Sequence, residues 1–463
     1  MLLLLLLVAI GCEESTSGPA PLSEQALMDP EACKDCHPQQ YSEWSGSMHA
    51  YAAADPVFTA MNARGQRETN GALGTFCVNC HAPMAVRLGL TTDGLNLDEL
   101  PAYSKGVTCY YCHSVAEVNG THNNPLTLAT DGVFRAGIDD PVKTHAHESA
   151  YSPLHDRDAH SSSSMCGSCH DIVLESGLAL ERTYAEWQGT VYAREGDPQA
   201  NSCGQCHMGS RQSPAALVEG APIRTTHDHA MPAVDVALTP WPDREAQRAM
   251  VQELLDYSLL PEICVRTAPG GADVEVYLEN IAAGHSFPSG AAHDRRVWVE
   301  LTAYAGDEVL YRSGHTAEGT PAAYVEAEDE SMWLLRDRTF DAEGETAHMF
   351  WEIASHEPEL LPAPTALSPI EPEYINTHIL RRYRVLGGTP DRIEMVVKMR
   401  PIGIEVLEDL VRSGDLDPAI IEAMPTFTLE GSRLTWAEAG AVMRRSPATG
   451  QPMLCVPDNP GDR

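Results

Sequence analysis

Five short stretches repeat one spacing: two cysteines three positions apart, with a histidine directly after the second. They are Cys33-Lys34-Asp35-Cys36-His37, Cys77-Val78-Asn79-Cys80-His81, Cys109-Tyr110-Tyr111-Cys112-His113, Cys166-Gly167-Ser168-Cys169-His170 and Cys203-Gly204-Gln205-Cys206-His207. Thiols at i and i+3 lie on one side of a helical turn. They can bond covalently to the two vinyl groups of one porphyrin, and the next imidazole then reaches its iron. A zinc knuckle or a redox dithiol also uses a Cys pair, but neither needs the histidine. With 19 His in 463 residues, five successive chance matches have a probability of about 10⁻⁷. The pattern therefore predicts five covalently attached haem c groups. Cys33, Cys36, Cys77, Cys80, Cys109, Cys112, Cys166, Cys169, Cys203 and Cys206 would be the attachment points, and His37, His81, His113, His170 and His207 the proximal iron ligands.

The sixth ligand of each iron decides what such a chain can do. Two strong protein ligands leave an electron relay, whereas an open position can bind a small molecule. Histidines outside the motifs are numerous enough to complete every iron. His49 lies twelve residues after the first motif, His147 and His155 precede the fourth, and His229 follows the fifth. His285 is flanked by glycine in Ala283-Gly284-His285-Ser286-Phe287-Pro288, a backbone able to approach a cofactor closely. These five are the expected distal ligands, with His122, His145, His160 and His227 as substitutes and Met84, Met165, Met208 and Met231 as further candidates.

The elements that must hold these residues differ along the chain. Residues 1–11 read as an apolar export segment, too short to span a bilayer as a helix, ending at Gly11-Cys12. That pair resembles the cleavage box of bacterial lipoproteins and implies a lipidated Cys12 in contact with a membrane. Residues 12–29 read as a polar tether. Residues 30–240 hold all five motifs among short helical patches rich in Gly, Pro, Asn and Ser, as expected where cofactors form the core. One repeat stands out here: Tyr41-Ser42-Glu43-Trp44-Ser45-Gly46-Ser47-Met48-His49 matches Tyr184-Ala185-Glu186-Trp187-Gln188-Gly189-Thr190-Val191-Tyr192. Both copies predict a short helix presenting Tyr and Trp, with Tyr192 where the first copy has His49.

Residues 241–261 predict a linking helix, with Pro242 in its first turn and Met250, Leu254 and Leu255 on its apolar face. From 262 to 463 the period becomes two, as in Asp273-Val274-Glu275-Val276-Tyr277-Leu278, Arg296-Val297-Trp298-Val299-Glu300-Leu301 and Arg392-Ile393-Glu394-Met395-Val396-Val397. The expected fold class is multidomain α+β: a haem-packed, mostly helical or irregular N-terminal multihaem domain, then a β-sandwich-like C-terminal domain with helical insertions near 404–412 and 418–424. Cys264 and Cys455, the remaining cysteines, are candidates for a disulfide in an oxidising compartment.

The formal charge is −35, with 28 acids against 12 Lys/Arg over residues 1–240 and 38 against 19 over the rest. Acidity thus covers the whole surface. Nucleic acid is excluded as a partner because its phosphates would be repelled. Redox partner proteins with basic docking surfaces are compatible. Aromatic content of 6% is low, which fits a core filled by porphyrins.

Several strings resemble the cytochrome c554-type multihaem family: Cys33 to His49 with Tyr41 and Trp44, Gly106-Val107-Thr108-Cys109, Tyr151-Ser152-Pro153-Leu154-His155 before the fourth motif, and Tyr184-Ala185-Glu186-Trp187 before the fifth. The resemblance covers about residues 30–235. It implies a periplasmic or cell-surface electron carrier with mostly bis-His haems. Gly284-His285-Ser286-Phe287-Pro288-Ser289-Gly290 is similar to a signature of C-terminal β-domains in related multihaem cytochromes. The chain departs from the four-haem pattern by its fifth motif and its long β-domain. Electron transfer is the leading expectation. A reductase of a small nitrogen or sulfur compound at one open haem, and a docking or filament-forming role, are the alternatives.

Overall fold

The computed structural model describes residues 21–366 and 378–457. The apolar leader and Cys12 lie outside them. The expected tether ends earlier than residue 29. Ser23 caps a short helix, Glu24–Met28, by accepting from the Ala26 amide, and Leu27 is buried beside Met84, Tyr110 and Val115. Five residues are too short for a helical period to be read.

The N-terminal half is built from short helices and two-stranded ribbons. Three helices start on proline, at Pro38, Pro56 and Pro83, where the missing amide hydrogen costs nothing. The longest, Pro56–Glu68, has Asp55 as its cap, accepting from the Val57 amide. Apolar clusters here are small, such as Ala53, Phe58, Val78, Ala82, Ala85 and Leu97.

The link between the halves is a helix at Arg244–Asp256. It begins after Pro242, because Asp243 takes a left-handed φ of 51°. Its buried stripe is Gln247, Val251 and Leu255 rather than the expected Met250 and Leu254. Gln247 tolerates burial because both ends of its amide are used: Nε2 donates to the Gly46 carbonyl at 3.0 Å and Oε1 accepts from the Ala237 amide at 2.9 Å. Gln252 donates to the Thr428 carbonyl at 2.7 Å. The helix is therefore bonded to both halves.

The C-terminal half is a two-sheet β-sandwich. Its strands are β1 (Leu259–Ala268), β2 (Gly271–Asn280), β3 (Arg296–Ala305), β4 (Glu308–Ser313), β5 (Trp333–Phe340), β6 (Ser355–Glu359), β7 (His378–Leu386), β8 (Arg392–Arg400), β9 (Phe427–Ala437), β10 (Val442–Arg445) and β11 (Pro452–Cys455). One antiparallel sheet has the order β7-β2-β1-β11-β10, and the other β6-β5-β3-β8-β9 with β4 beside β3. Alternate residues face inward, as the period of two predicts. Ile263, Val265, Val274, Val276 and Leu278 of the first sheet meet Val297, Val299, Leu301, Ile393, Met395 and Val397 of the second in one core. Each such side chain contributes about 1.5–3 kcal/mol on burial. The helical insertions fall at Ile404–Arg412 and Ala419–Ala423. Pro261 lies inside β1, where a sheet would normally reject it. It is tolerated because β11 pairs with β1 only at Cys264 and Val265.

Cys264 and Cys455 face each other across β1 and β11 and form a disulfide spanning 191 positions. By loop entropy a link this long stabilises by about 5 kcal/mol. The Cys264→Ala/Cys455→Ala protein should lose most of that in a denaturant titration followed by circular dichroism of the β-domain. A loss below about 1 kcal/mol would mean that strand pairing alone closes the sheet.

Candidate haem sites

Each motif lies on or beside a single helical turn. Cys109–His113 is capped by Thr108, which accepts from the Tyr111 amide. Cys203–His207 is capped by Ser202 in a reciprocal pair with Gln205. Gly106, at φ +69°, lets the chain before the third motif pass the backbone of His49 and Ala50. A Cβ there would stand 2.7 Å from both carbonyl oxygens.

Backbone carbonyls fix the motif imidazoles. The Nδ1 atom of His37 lies 2.9 Å from the Ala215 oxygen, that of His81 3.2 Å from Ala52, that of His113 2.6 Å from Arg135 and that of His207 2.8 Å from Pro232. A carbonyl can only accept, so Nδ1 carries the proton and Nε2 keeps its lone pair for a metal. Burial lowers the pKa of all five motif imidazoles, that of His113 to about 4. The neutral form that ligates iron is thus favoured.

Four of the five face a second imidazole. Ring centroids are 6.2 Å apart for His37 and His147, 6.1 Å for His170 and His49, 6.4 Å for His113 and His229, and 6.5 Å for His207 and His285. Two imidazoles on one iron at about 2 Å each place their centroids roughly 6 Å apart. The described residues therefore fit haem. The Nδ1 atoms of His147, His229 and His285 also lie against carbonyls, of Glu148 at 3.2 Å, His227 at 3.0 Å and Ser286 at 2.8 Å. That leaves each Nε2 free.

His155 differs from its sequence expectation. It stands 5.8 Å from the His113 ring, but its Nε2 donates to the Cys112 carbonyl at 2.7 Å and its Nδ1 is buried without a partner. The nitrogen that would reach iron is occupied. His155 is half-buried against the third motif, and His229 also faces His113, at 6.4 Å.

His81 is also distinct. Phe58 stacks flat on its ring at 4.1 Å. Among the described residues no second imidazole faces it at the spacing of the other pairs. Acids surround this motif. Glu181, pushed up to about 7 by burial, acts on Cys77 and Cys80, and Asp235 acts on His81. Asp235 is held by Arg295 through two hydrogen bonds of 2.6 and 2.7 Å. Sequence reading missed this group, because its members come from residues 181, 235 and 295 and share no local pattern.

Cysteine contacts show which motifs adjoin. The thiols of Cys33 and Cys109, of Cys80 and Cys169, and of Cys166 and Cys203 lie close enough to perturb one another. These sulfurs stand where thioethers to porphyrin would be. Cys112 is electrostatically coupled to Cys169. The first motif thus lies beside the third, the third near the fourth, and the fourth beside both the second and the fifth.

Residues 32–114 match the family model for cytochrome c554 and c-prime. A penta-heme cytochrome c552 from Thermochromatium tepidum has a similar structure, with a TM-score of 0.58 over 88% of this chain and 98% of that one, at 19% identity. The chain has the fold of a multihaem c-type cytochrome. No curated protein matches it in sequence. Within this cytochrome fold the paired imidazoles, the attachment cysteines and the β-sandwich occur together, and His285 reaches the fifth motif from the loop after β2.

Proposed function

We propose that this cytochrome carries electrons along five covalently bound haems, four of them held by His pairs. The observation that carries the reading is the set of four imidazole pairs at 6.1–6.5 Å, each opposite a Cys-x-x-Cys turn. Haem there would supply one-electron Fe(III)/Fe(II) chemistry. The chain contributes position and burial: carbonyls hold the imidazoles in the iron-facing tautomer, and the adjoining cysteines bring neighbouring sites together in the order first, third, fourth, fifth. The second motif branches from the fourth. Intact mass should show five haem additions. Electron paramagnetic resonance of the oxidised protein should show low-spin ferric signals with one high-spin component. Fewer additions, or a mostly high-spin spectrum, would refute the relay.

His81, faced by Phe58 and by no second imidazole among the described residues, would account for that high-spin component and favours a second reading. An iron there would be open to a small ligand beside Glu181, whose carboxyl burial pushes up to about 7, with Asp235 nearby. On this reading the chain reduces a small nitrogen or sulfur compound at that position. The ferrous protein should bind one equivalent of carbon monoxide rapidly. A wholly low-spin protein that binds none would leave the relay as its only role.

The proposed setting is outside the cytoplasm, with attachment to a membrane through Cys12. The Cys264–Cys455 disulfide supports an oxidising compartment. Among the described residues no helix is long and apolar enough to cross a membrane. Basic redox proteins are the proposed partners, steered by the charge of −35.

A further inference from the structure

The two copies of the Tyr-x-Glu-Trp repeat make the same bonds at two different haem sites. In the first copy the Trp44 indole donates to the Val107 carbonyl at 2.8 Å, and the His49 carbonyl accepts from the Val107 amide at 2.9 Å. In the second, the Trp187 indole donates to the Asn201 carbonyl at 3.0 Å, and the Tyr192 carbonyl accepts from the Asn201 amide at 3.0 Å. Val107 and Asn201 each stand two residues before a motif cysteine, Cys109 and Cys203. Ser47 and Thr190 close the turn alike, each hydroxyl donating at 2.7 Å to the carbonyl of its copy's Trp.

The carboxylate between the aromatics reaches the opposite side. Glu43 Oε2 accepts from the backbone amide of His229 at 3.1 Å, and Arg211 fixes the same carboxylate at 2.6 Å. Glu186 Oε2 accepts from the Ser286 amide, next to His285, at 3.1 Å and from the Ser289 hydroxyl at 2.7 Å. His229 faces His113 and His285 faces His207. Each copy therefore grips both sides of one site: indole and backbone on the motif strand, carboxylate on the loop that brings the second imidazole. Where the first copy also delivers His49 to the fourth motif, the second places Tyr192 against the loop of Gly284.

We propose that the repeat is a haem clamp used twice, and that Glu43 and Glu186 are positioning residues for the distal imidazoles His229 and His285. This rests on the His pairing proposed above. Without its carboxylate the distal loop is held by fewer bonds, and its imidazole leaves the iron more often. Carbon monoxide reports this directly, because at a bis-His site it binds only after the distal imidazole lets go.

The test uses the full haem-loaded protein, checked for five haems by mass, and follows the slow phases of carbon monoxide binding to the ferrous form. Glu186→Ala should speed one slow phase about 10- to 100-fold, the range expected for losing one or two charge-assisted hydrogen bonds. Glu43→Ala should speed a different phase, and the two effects should add in the double variant because separate haems are affected. Glu186→Gln, whose amide oxygen still accepts, should restore most of the original rate. Alanine variants with unchanged slow phases would overturn the clamp, provided that His285→Ala binds one extra equivalent at once. If His285→Ala changes nothing, the ligand pairing has failed instead. Should Glu186→Ala not accumulate, Ser289→Ala removes one of its two contacts: a faster phase supports the clamp and an unchanged one overturns it.

Discussion

His285→Ala should turn one haem from low-spin to high-spin while all five stay attached. Attachment depends on Cys203 and Cys206, which the substitution leaves alone, whereas the sixth iron bond at His207 is lost. Absorption of the oxidised protein should gain a high-spin band, and the ferrous form should take up one further equivalent of carbon monoxide. His155→Ala is the matched control. It stands closer to a motif imidazole than His285 does, at 5.8 Å against 6.5 Å, yet its Nε2 is committed to a carbonyl. It should leave every spin state unchanged. A high-spin signal in His155→Ala, or none in His285→Ala, would reverse the assignment.

The second large effect is on stability. Arg296 and Glu405 are 1% and 6% exposed at their side chains, and the guanidinium hydrogen-bonds the carboxylate. Arg296 also donates to the carbonyls of His293 and Arg295, and Arg336 stands 3.9 Å from Glu405. Removing one partner of a buried pair leaves the other charge without compensation, at a cost of about 3–5 kcal/mol. Glu405→Ala should lose that much in a denaturant titration of the β-domain. A loss under about 1 kcal/mol would mean that water or a neighbouring acid replaces the carboxylate. Burial alone would raise the Glu405 pKa, but Arg296 holds it below the usual carboxylate value. A depressed folded pKa stabilises above the unfolded value and is lost as pH falls through the folded one. Acidification below about pH 4 should therefore weaken the native protein more steeply than the Ala variant, which keeps the other depressed carboxylates such as Glu275 and Asp329.

What could be read from sequence was what the chain writes locally. Two cysteines and a histidine within five residues carry their own chemistry, and a strand with one wet face carries its own period. Pairing across the haem is different. His147 meets His37, and His229 meets His113, over more than a hundred residues, so no spacing announces them. What separates His155 from His229 is which ring nitrogen donates, and that depends on where the Cys112 carbonyl lies. Glu43 and Glu186 were visible as identical letters in a repeat. Their partners, His229 and Ser286, are distant, so the aromatic neighbours drew the reading. Leu27 and Gln247 show the same limit at the level of packing: an apolar residue in a one-turn helix and a buried amide follow no pattern and are explained only by what they touch.

The strand order of the sandwich ties one proposed haem site to the last strands of the described chain. Chains emerge from the N-terminus, and the second imidazoles proposed for His37, His113 and His170 all lie upstream of residue 235. The one proposed for His207 lies beyond β2, whose neighbour β1 is bordered by β11 near the very end of the described chain. A chain stopped short of residue 450 would already carry every attachment cysteine, yet the sheet behind His285 would lack a strand. With His285 as its second imidazole, the fifth site is the one whose proposed ligand pair draws on both the motif half and the sandwich.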